Sequence, residues 1–162
     1  MAKLNDKLVQ ELLQGRRVAC LATENADGSM HLTSVWYMFE EGSAYVATFS
    51  RAVKARNLQA RPKASLMVDI RETVGARGVT LMGAAEILTG EASRQWNERI
   101  HRRYLSKAAL ADPRVGPVFA QWDDITIKLT PERVVAWDMR EADKAAFGGT
   151  FAANPGYLLL LE

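Results

Sequence analysis

Apolar residues open the chain at helical spacing. Leu4, Leu8, Val9, Leu12 and Leu13 fall on one side of a short amphipathic helix that Gly15 stops. The period then changes. "RVACLAT" (17–23) predicts a buried strand, and "NADG" supplies a hairpin turn through Asp27-Gly28. "MHLTSVWYMFE" (30–40) predicts one long strand, rich in aromatic and β-branched residues. "EEGS" turns the chain again into a third strand, "AYVATFS" (44–50).

The next stretch, "SRAVKARNLQARPKA" (50–64), has no Gly and closes at Pro62, which predicts a helix of about three turns. "ASLMVDI" (64–70) and "GVTLMGAAEIL" (78–88) read as strands, with Gly83 marking a bulge or a close backbone approach. "EASRQWNERIHRRYL" (91–105) reads as an amphipathic helix and "DPRVGPVFA" (112–120) as a helical segment interrupted by proline. "DITIKLT" and "RVVAWDM" predict two strands broken at Thr130-Pro131. From Arg140 the Ala- and Gly-rich tail predicts irregular structure, and the apolar end "YLLLLE" predicts a packed terminus. Short turns and few crossover helices favour an antiparallel barrel, mainly β with short helices, over a parallel sheet. The expectation is a single domain over 1–162.

Composition narrows this little. Hydrophobic residues make up 48% and charged residues 25% of 162, ordinary for a globular chain that buries its own core. A net charge of +2 excludes a globally basic nucleic-acid binder, so only a local patch could act that way. One cysteine, Cys20, excludes an internal disulfide and a Cys-rich zinc site. Within "VACLA" it reads as a small buried hydrophobe. His31 and His101 lie in different elements with no ligand-spaced partner, so no metal site is predicted, and His31 reads as structural or surface-facing. No apolar run reaches the roughly 18 residues of a membrane span. The first residues do not read as a signal peptide, and a cytoplasmic location is the expectation.

The basic stretch changes the picture. It holds five basic residues and no acidic one, in a chain with 21 Lys+Arg against 19 Asp+Glu. On a helix Arg51, Lys54, Asn57 and Arg61 fall within a third of the circumference, with Ser50 just ahead at the position of an N-cap. A hydroxyl, free backbone N–H groups, the helix dipole and two cations then converge on one point, where a phosphate is the natural guest. A solvated basic face is the competing reading. Nucleic acid ranks behind both, because no aromatic residue is interleaved.

Here the chain resembles a known family. "TSVWY" (33–37), a strand ending "VATFS" (46–50) and "SRAVKARNLQARPKASLMV" (50–68) are similar to the split β-barrel flavoproteins related to pyridoxamine 5'-phosphate oxidase. That superfamily includes FMN-binding members and oxidoreductases that use the deazaflavin F420. The similarity covers roughly residues 10–138. It implies a six-stranded antiparallel split barrel and a homodimer with two interfacial cofactor sites. It implies that Thr48, Ser50, Arg51 and Lys54 hold the cofactor phosphate, with Asn57 supporting. It further implies that the backbone of Thr33, Ser34, Val35 and Trp36 meets the pyrimidine edge of the ring system, and that Trp137 presents its ring from the last strand. FMN leads as cofactor and F420 follows; Arg16, Arg17, Arg56 and Lys63 are candidates for the acidic F420 tail. The end "NPGYLLLLE" lacks the Arg and His that true pyridoxamine phosphate oxidases carry for their substrate. The expected activity is hydride or electron transfer to or from an unidentified small molecule. A cofactor carrier without turnover is the alternative, since fold does not fix function. Such a site needs no ionised catalytic group, because the cofactor carries the chemistry.

Overall fold

The computed structural model describes residues 2–159; Leu160, Leu161 and Glu162, half of "YLLLLE", lie outside the described residues. In chain order the elements are α1 (Lys7–Gln14), β1 (Ala19–Glu24), β2 (Met30–Val35), β3 (Tyr37–Glu40), β4 (Ser43–Thr48), α2 (Val53–Ala60), β5 (Lys63–Ile70) and β6 (Arg77–Leu88). There follow α3 (Gly90–Tyr104), α4 (Lys107–Ala111), α5 (Gly116–Trp122), β7 (Ile125–Asp138), α6 (Met139–Phe147), α7 (Thr150–Ala153) and a 3-10 turn over Pro155–Tyr157.

One antiparallel sheet runs β2-β1-β5-β6-β7-β4-β3. Its two edge strands are consecutive in sequence, with only Trp36 between them. The sheet therefore curls until its edges meet at Trp36, which is a split barrel. It has seven strands rather than six because "MHLTSVWYMFE" is not continuous: its first half pairs with β1 and its second with β4. The break has a packing cause. The Trp36 ring stacks on Tyr104 and on Phe119, at centroid distances of 5.0 and 5.4 Å. The Tyr37 N–H donates to the Tyr104 hydroxyl at 3.3 Å instead of joining a ladder.

Helix α1 plugs the barrel. Val9, Leu12 and Leu13 are sealed against Leu21, Tyr37, Leu66, Leu81 and Leu129. The Tyr37 hydroxyl reaches the last carbonyls of α1, 3.0 Å from that of Leu13. Burial pushes the Tyr37 phenol far above its ordinary pKa, so it stays a neutral donor. Between β3 and β4, Glu41 (φ 51°) and Gly42 (φ 75°) form a two-residue turn with both residues left-handed, the hairpin type that matches strand twist.

Two further expectations are corrected here. "DITIKLT" and "RVVAWDM" form the single strand β7. Gly83 faces Pro131 and Met82 faces Arg133, so Glu132 is the extra residue of a bulge. Pro131 has no N–H to give the ladder, and a Cβ on Gly83 would lie 2.1 Å from the Thr130 carbonyl oxygen. The tail from Arg140 is helical, not irregular. Its alanines favour helix, the Asp138 carboxylate accepts from the Arg140 N–H, and Gly148 ends α6 in the left-handed region. The buried Asp143 carboxylate then accepts from the N–H groups of Phe151 and Ala152, tying α7 down.

The outer face of the sheet carries small and apolar residues, with charged ones such as Arg133 beside them. Strand register sets Ser34, Cys20, Met67, Thr80 and Val135 in one row, and Leu32, Ala22, Ser65 and Met82 in the next. Leu32 is 64% exposed and Met30 56%. Cys20 lies on this face, half-buried rather than sealed in the core.

Candidate cofactor site

The basic stretch folds as two turns rather than three, and Ala52, not Ser50, stands at the N-cap. Four of its polar residues divide into two pairs. Asn57 is buried, and its side-chain amide donates to Thr23 Oγ1 at 3.1 Å and to Asn25 Oδ1 at 2.9 Å. Arg61 donates to the Glu24 carbonyl at 2.9 Å and pairs with its carboxylate. These two clamp α2 onto β1. Arg51 and Lys54, in contrast, stay free of any hydrogen bond or ion pair among the described residues, Arg51 exposed and Lys54 half-buried. Burial lowers the Lys54 pKa, and the nearby Asp123 carboxylate only partly opposes this.

Ser50 leads into this segment with both of its donors aimed at one anion. Its N–H lies 2.7 Å from Asp124 Oδ1 and its hydroxyl 2.8 Å from Oδ2. Burial pushes the Asp124 carboxyl up, but the two Ser50 bonds outweigh it, with Arg51 helping, and the pKa falls below the ordinary value. Thr48, just before, is buried at the end of β4 opposite Ile125. Thr48, Ser50, Arg51 and Lys54 thus form one contiguous seat at the β4–α2 junction.

Thr33, Ser34 and Val35 lie elsewhere, on β2. Because β2 is an edge strand, alternate backbone N–H and C=O groups along it have no sheet partner. Val35 points into the core and Ser34 outward, while Thr33 shares its face with Thr23, the residue that Asn57 of α2 holds. Trp36 is half-buried in its aromatic stack. Trp137 is 37% exposed, and a Cβ on Gly78 would lie 2.7 Å from its ring, so the indole lies flat on the Gly78 backbone. It stands twelve residues along β7 from Ile125. That is about 40 Å of strand at about 3.3 Å per residue, so Trp137 sits towards the opposite end of β7 from the seat.

Sequence reasoning missed what connects these parts. Phe119 of α5 stacks on Trp36 and tilts against His101 of α3, centroids 5.3 Å apart. His101 Nε2 is 2.7 Å from Asp123 Oδ2, and Asp123 adjoins Asp124. The signal available was the inner face of α3, where Ser93, Asn97, Ile100 and His101 recur at helical spacing: three polar groups facing inward require partners. No cluster of three or more metal-ligating side chains occurs among the described residues, and no described helix is long and apolar enough to cross a membrane.

The fold is shared with several solved structures. A conserved hypothetical protein from Mycobacterium tuberculosis is 26% identical with a TM-score of 0.70, each chain covered to 88%. An F420 reductase is 19% identical with a TM-score of 0.62, covering 78% of this chain and 94% of that one. HutZ, the heme storage protein from Vibrio cholerae, is 21% identical with a TM-score of 0.62, covering 78% and 90%. No curated protein matches the chain. The sequence profile of pyridoxamine 5'-phosphate oxidase matches residues 6–138, from the start of α1 to the end of β7, and the chain belongs to that family.

Proposed function

We propose that this protein is a flavin-dependent oxidoreductase that binds FMN between two copies of the chain. The observation that carries the reading is the seat at the β4–α2 junction. A half-buried Lys54 lacks a carboxylate partner of its own, next to two Ser50 donors that already converge on a carboxylate. Desolvating a lysine without pairing it is unfavourable, and a bound phosphate would relieve that cost. Thr48, Ser50, Arg51 and Lys54 would hold the phosphate, while Asn57 acts through its clamp on Thr23. The unpaired edge of β2 over Thr33, Ser34, Val35 and Trp36 would offer backbone groups to the ring system. FMN, when bound, supplies hydride or electron transfer; the chain's part is to bind and orient it and to exclude water.

Two observations favour an interfacial site. Trp137 lies towards the far end of β7 from the seat, so its ring would come to the cofactor from a second copy. The outer face around Leu32, Met67 and Val135 is apolar enough to need cover, and a two-fold dimer is the commonest closed solution. F420 is the alternative cofactor, favoured by the F420 reductase that shares the fold. A carrier without turnover is the second reading, favoured by the heme storage protein that shares it.

Titration of the purified protein with FMN, F420 and haem, read by absorbance and by sedimentation, tests this. Saturable micromolar FMN binding to a dimer is expected, and Trp137→Ala should lose affinity while staying dimeric. A monomer that binds FMN fully removes the interfacial site. Failure to bind either flavin removes the oxidoreductase reading. FMN bound without reduction of any acceptor leaves the carrier.

A further inference from the structure

A second cleft lies outside the seat. It is lined by α3, α4, α5 and Asp123 just after α5, with a volume of about 640 Å³, within the range that holds small organic ligands. His101 lines it, only 5% exposed. Its Nε2 lies 2.7 Å from Asp123 Oδ2, and a neutral ring that donates there keeps its lone pair on Nδ1. Among the described residues nothing hydrogen-bonds Nδ1, and it is not one of the sealed, unpartnered polar atoms; the cleft is the cavity that His101 lines. The other buried polar group in the wall is spent: the Asn97 amide donates to the Asp123 and Ile125 carbonyls and accepts from Thr126.

The remaining lining divides into an apolar floor and a cationic rim. Leu110 and Ala120 supply apolar surface. On the rim Arg102 is neutralised by Glu98 and Arg94 by Glu91. Lys107 has no acidic partner among the described residues. A ligand complementary to this lining has a flat apolar body, an anionic group for Lys107 and a hydroxyl to donate to His101 Nδ1.

We propose that this cleft binds a small hydroxylated organic acid, with His101 Nδ1 accepting from its hydroxyl and Lys107 meeting its carboxylate. The proposal stands without any cofactor, and its test uses none.

The chain has two histidines, so 15N-labelled protein reports on each imidazole separately, with His31 as internal control. The probe is 4-hydroxybenzoate. Saturable shifts at the His101 ring nitrogens are expected, with His31 unmoved. Benzoate, which lacks the hydroxyl, should bind at least about fivefold more weakly, since a site built to accept a hydrogen bond penalises a ligand without the donor. The cation 4-hydroxybenzylamine should not bind. Lys107→Glu should weaken 4-hydroxybenzoate by about tenfold or more, and Leu110→Trp, which fills the cleft, should abolish the shift. Each variant is checked for parental melting, and Lys107→Glu, an exposed change, keeps the test open if Leu110→Trp unfolds. The proposal is overturned by no His101 shift up to about 10 mM, a concentration at which even a millimolar site is nearly full. It is equally overturned by a shift that the cation reproduces, or by one that Lys107→Glu leaves unchanged.

Discussion

Asp123 and Asp124 are neighbours in the chain and hold different partners, while Asp123 also lies near Lys54 of the seat. Asp124 turns to the seat and sits on the two donors of Ser50; Asp123 turns to the cleft and holds His101. In the proposed reading the seat lies near the surface, with Arg51 exposed and Lys54 half-buried, so a dianion would be recognised mainly electrostatically. The cleft is half-enclosed, and among the described residues the His101 ring leaves Nδ1 without a partner, so in the proposed reading it selects by shape and by a single directional hydrogen bond. In the proposed readings the seat relies on cations that have no protein partner, whereas the cleft relies on a buried group already held by a partner.

The largest expected effect breaks both regions at once. Asn97 ties α3 to the carbonyls of Asp123 and Ile125, and so sets the direction in which both carboxylates point. Asn97→Ala takes the amide donor from those two carbonyls, while the Thr126 hydroxyl keeps its Ser93 partners. It should cost about 3 kcal/mol in urea unfolding, since each buried unpaired group costs roughly 1–3 kcal/mol. It should also weaken ligands at both sites. A variant that loses affinity at only one would show that the wall is not shared.

Lys54→Glu separates the regions. Reversing a half-buried charge beside a phosphate should lower FMN affinity about a hundredfold or more, because a close pair at an effective dielectric near 20 is worth several kcal/mol. Melting should fall only slightly, since the lysine forms no hydrogen bond or ion pair among the described residues and the new carboxylate meets only the nearby Asp123. Binding of 4-hydroxybenzoate at His101 should stay within about threefold. Equal FMN affinity in the folded variant would return α2 to a solvated basic face.

The two regions also differ in how far the sequence announces them. The seat is contiguous: Thr48 to Lys54 is one strand end and one helix start, and residue type and spacing suffice to bring its charges together. Even so, the pattern did not tell the cations that face solvent from the residues that clamp. Asn57 and Arg61 share the stripe of Arg51 and Lys54, yet their partners are Thr23, Asn25 and Glu24, 32 to 37 residues away. The cleft joins His101 to Asp123 across two intervening helices, and no local period encodes that meeting. The barrel itself was legible from hairpin turns such as Asp27-Gly28 and Glu41-Gly42. Its closure was not, because the break at Trp36 is imposed by Tyr104 and Phe119 from far along the chain. At Pro131 the error ran the other way: proline was read as a strand end, while the bulge opposite Gly83 absorbs its missing donor.

The smallest effect concerns Asp124, the anion that already occupies the seat. A phosphate must share or displace its hold on Ser50, and the carboxylate repels an incoming dianion. Asp124→Asn removes the charge and one acceptor. It should raise FMN affinity by about fivefold, the factor that about 1 kcal/mol of relieved repulsion near the surface would give. Stability should move the other way and by less than about 1 kcal/mol, because the pair is exposed. The sign with pH follows from linkage. The folded pKa of Asp124 lies below the ordinary value, so its contribution is present above the unfolded pKa of about 3.9 and fades as pH falls through the lower folded value. The parent should therefore be slightly more stable than Asp124→Asn at about pH 6, and the two should converge near about pH 2. Fluorescence titration of FMN at neutral pH, paired with melting across that range, reads both effects. Weaker FMN binding in the variant would mean that Asp124 orders Ser50 for the phosphate rather than competing with it, and the seat would then resemble the cleft in depending on a carboxylate that holds a donor in place.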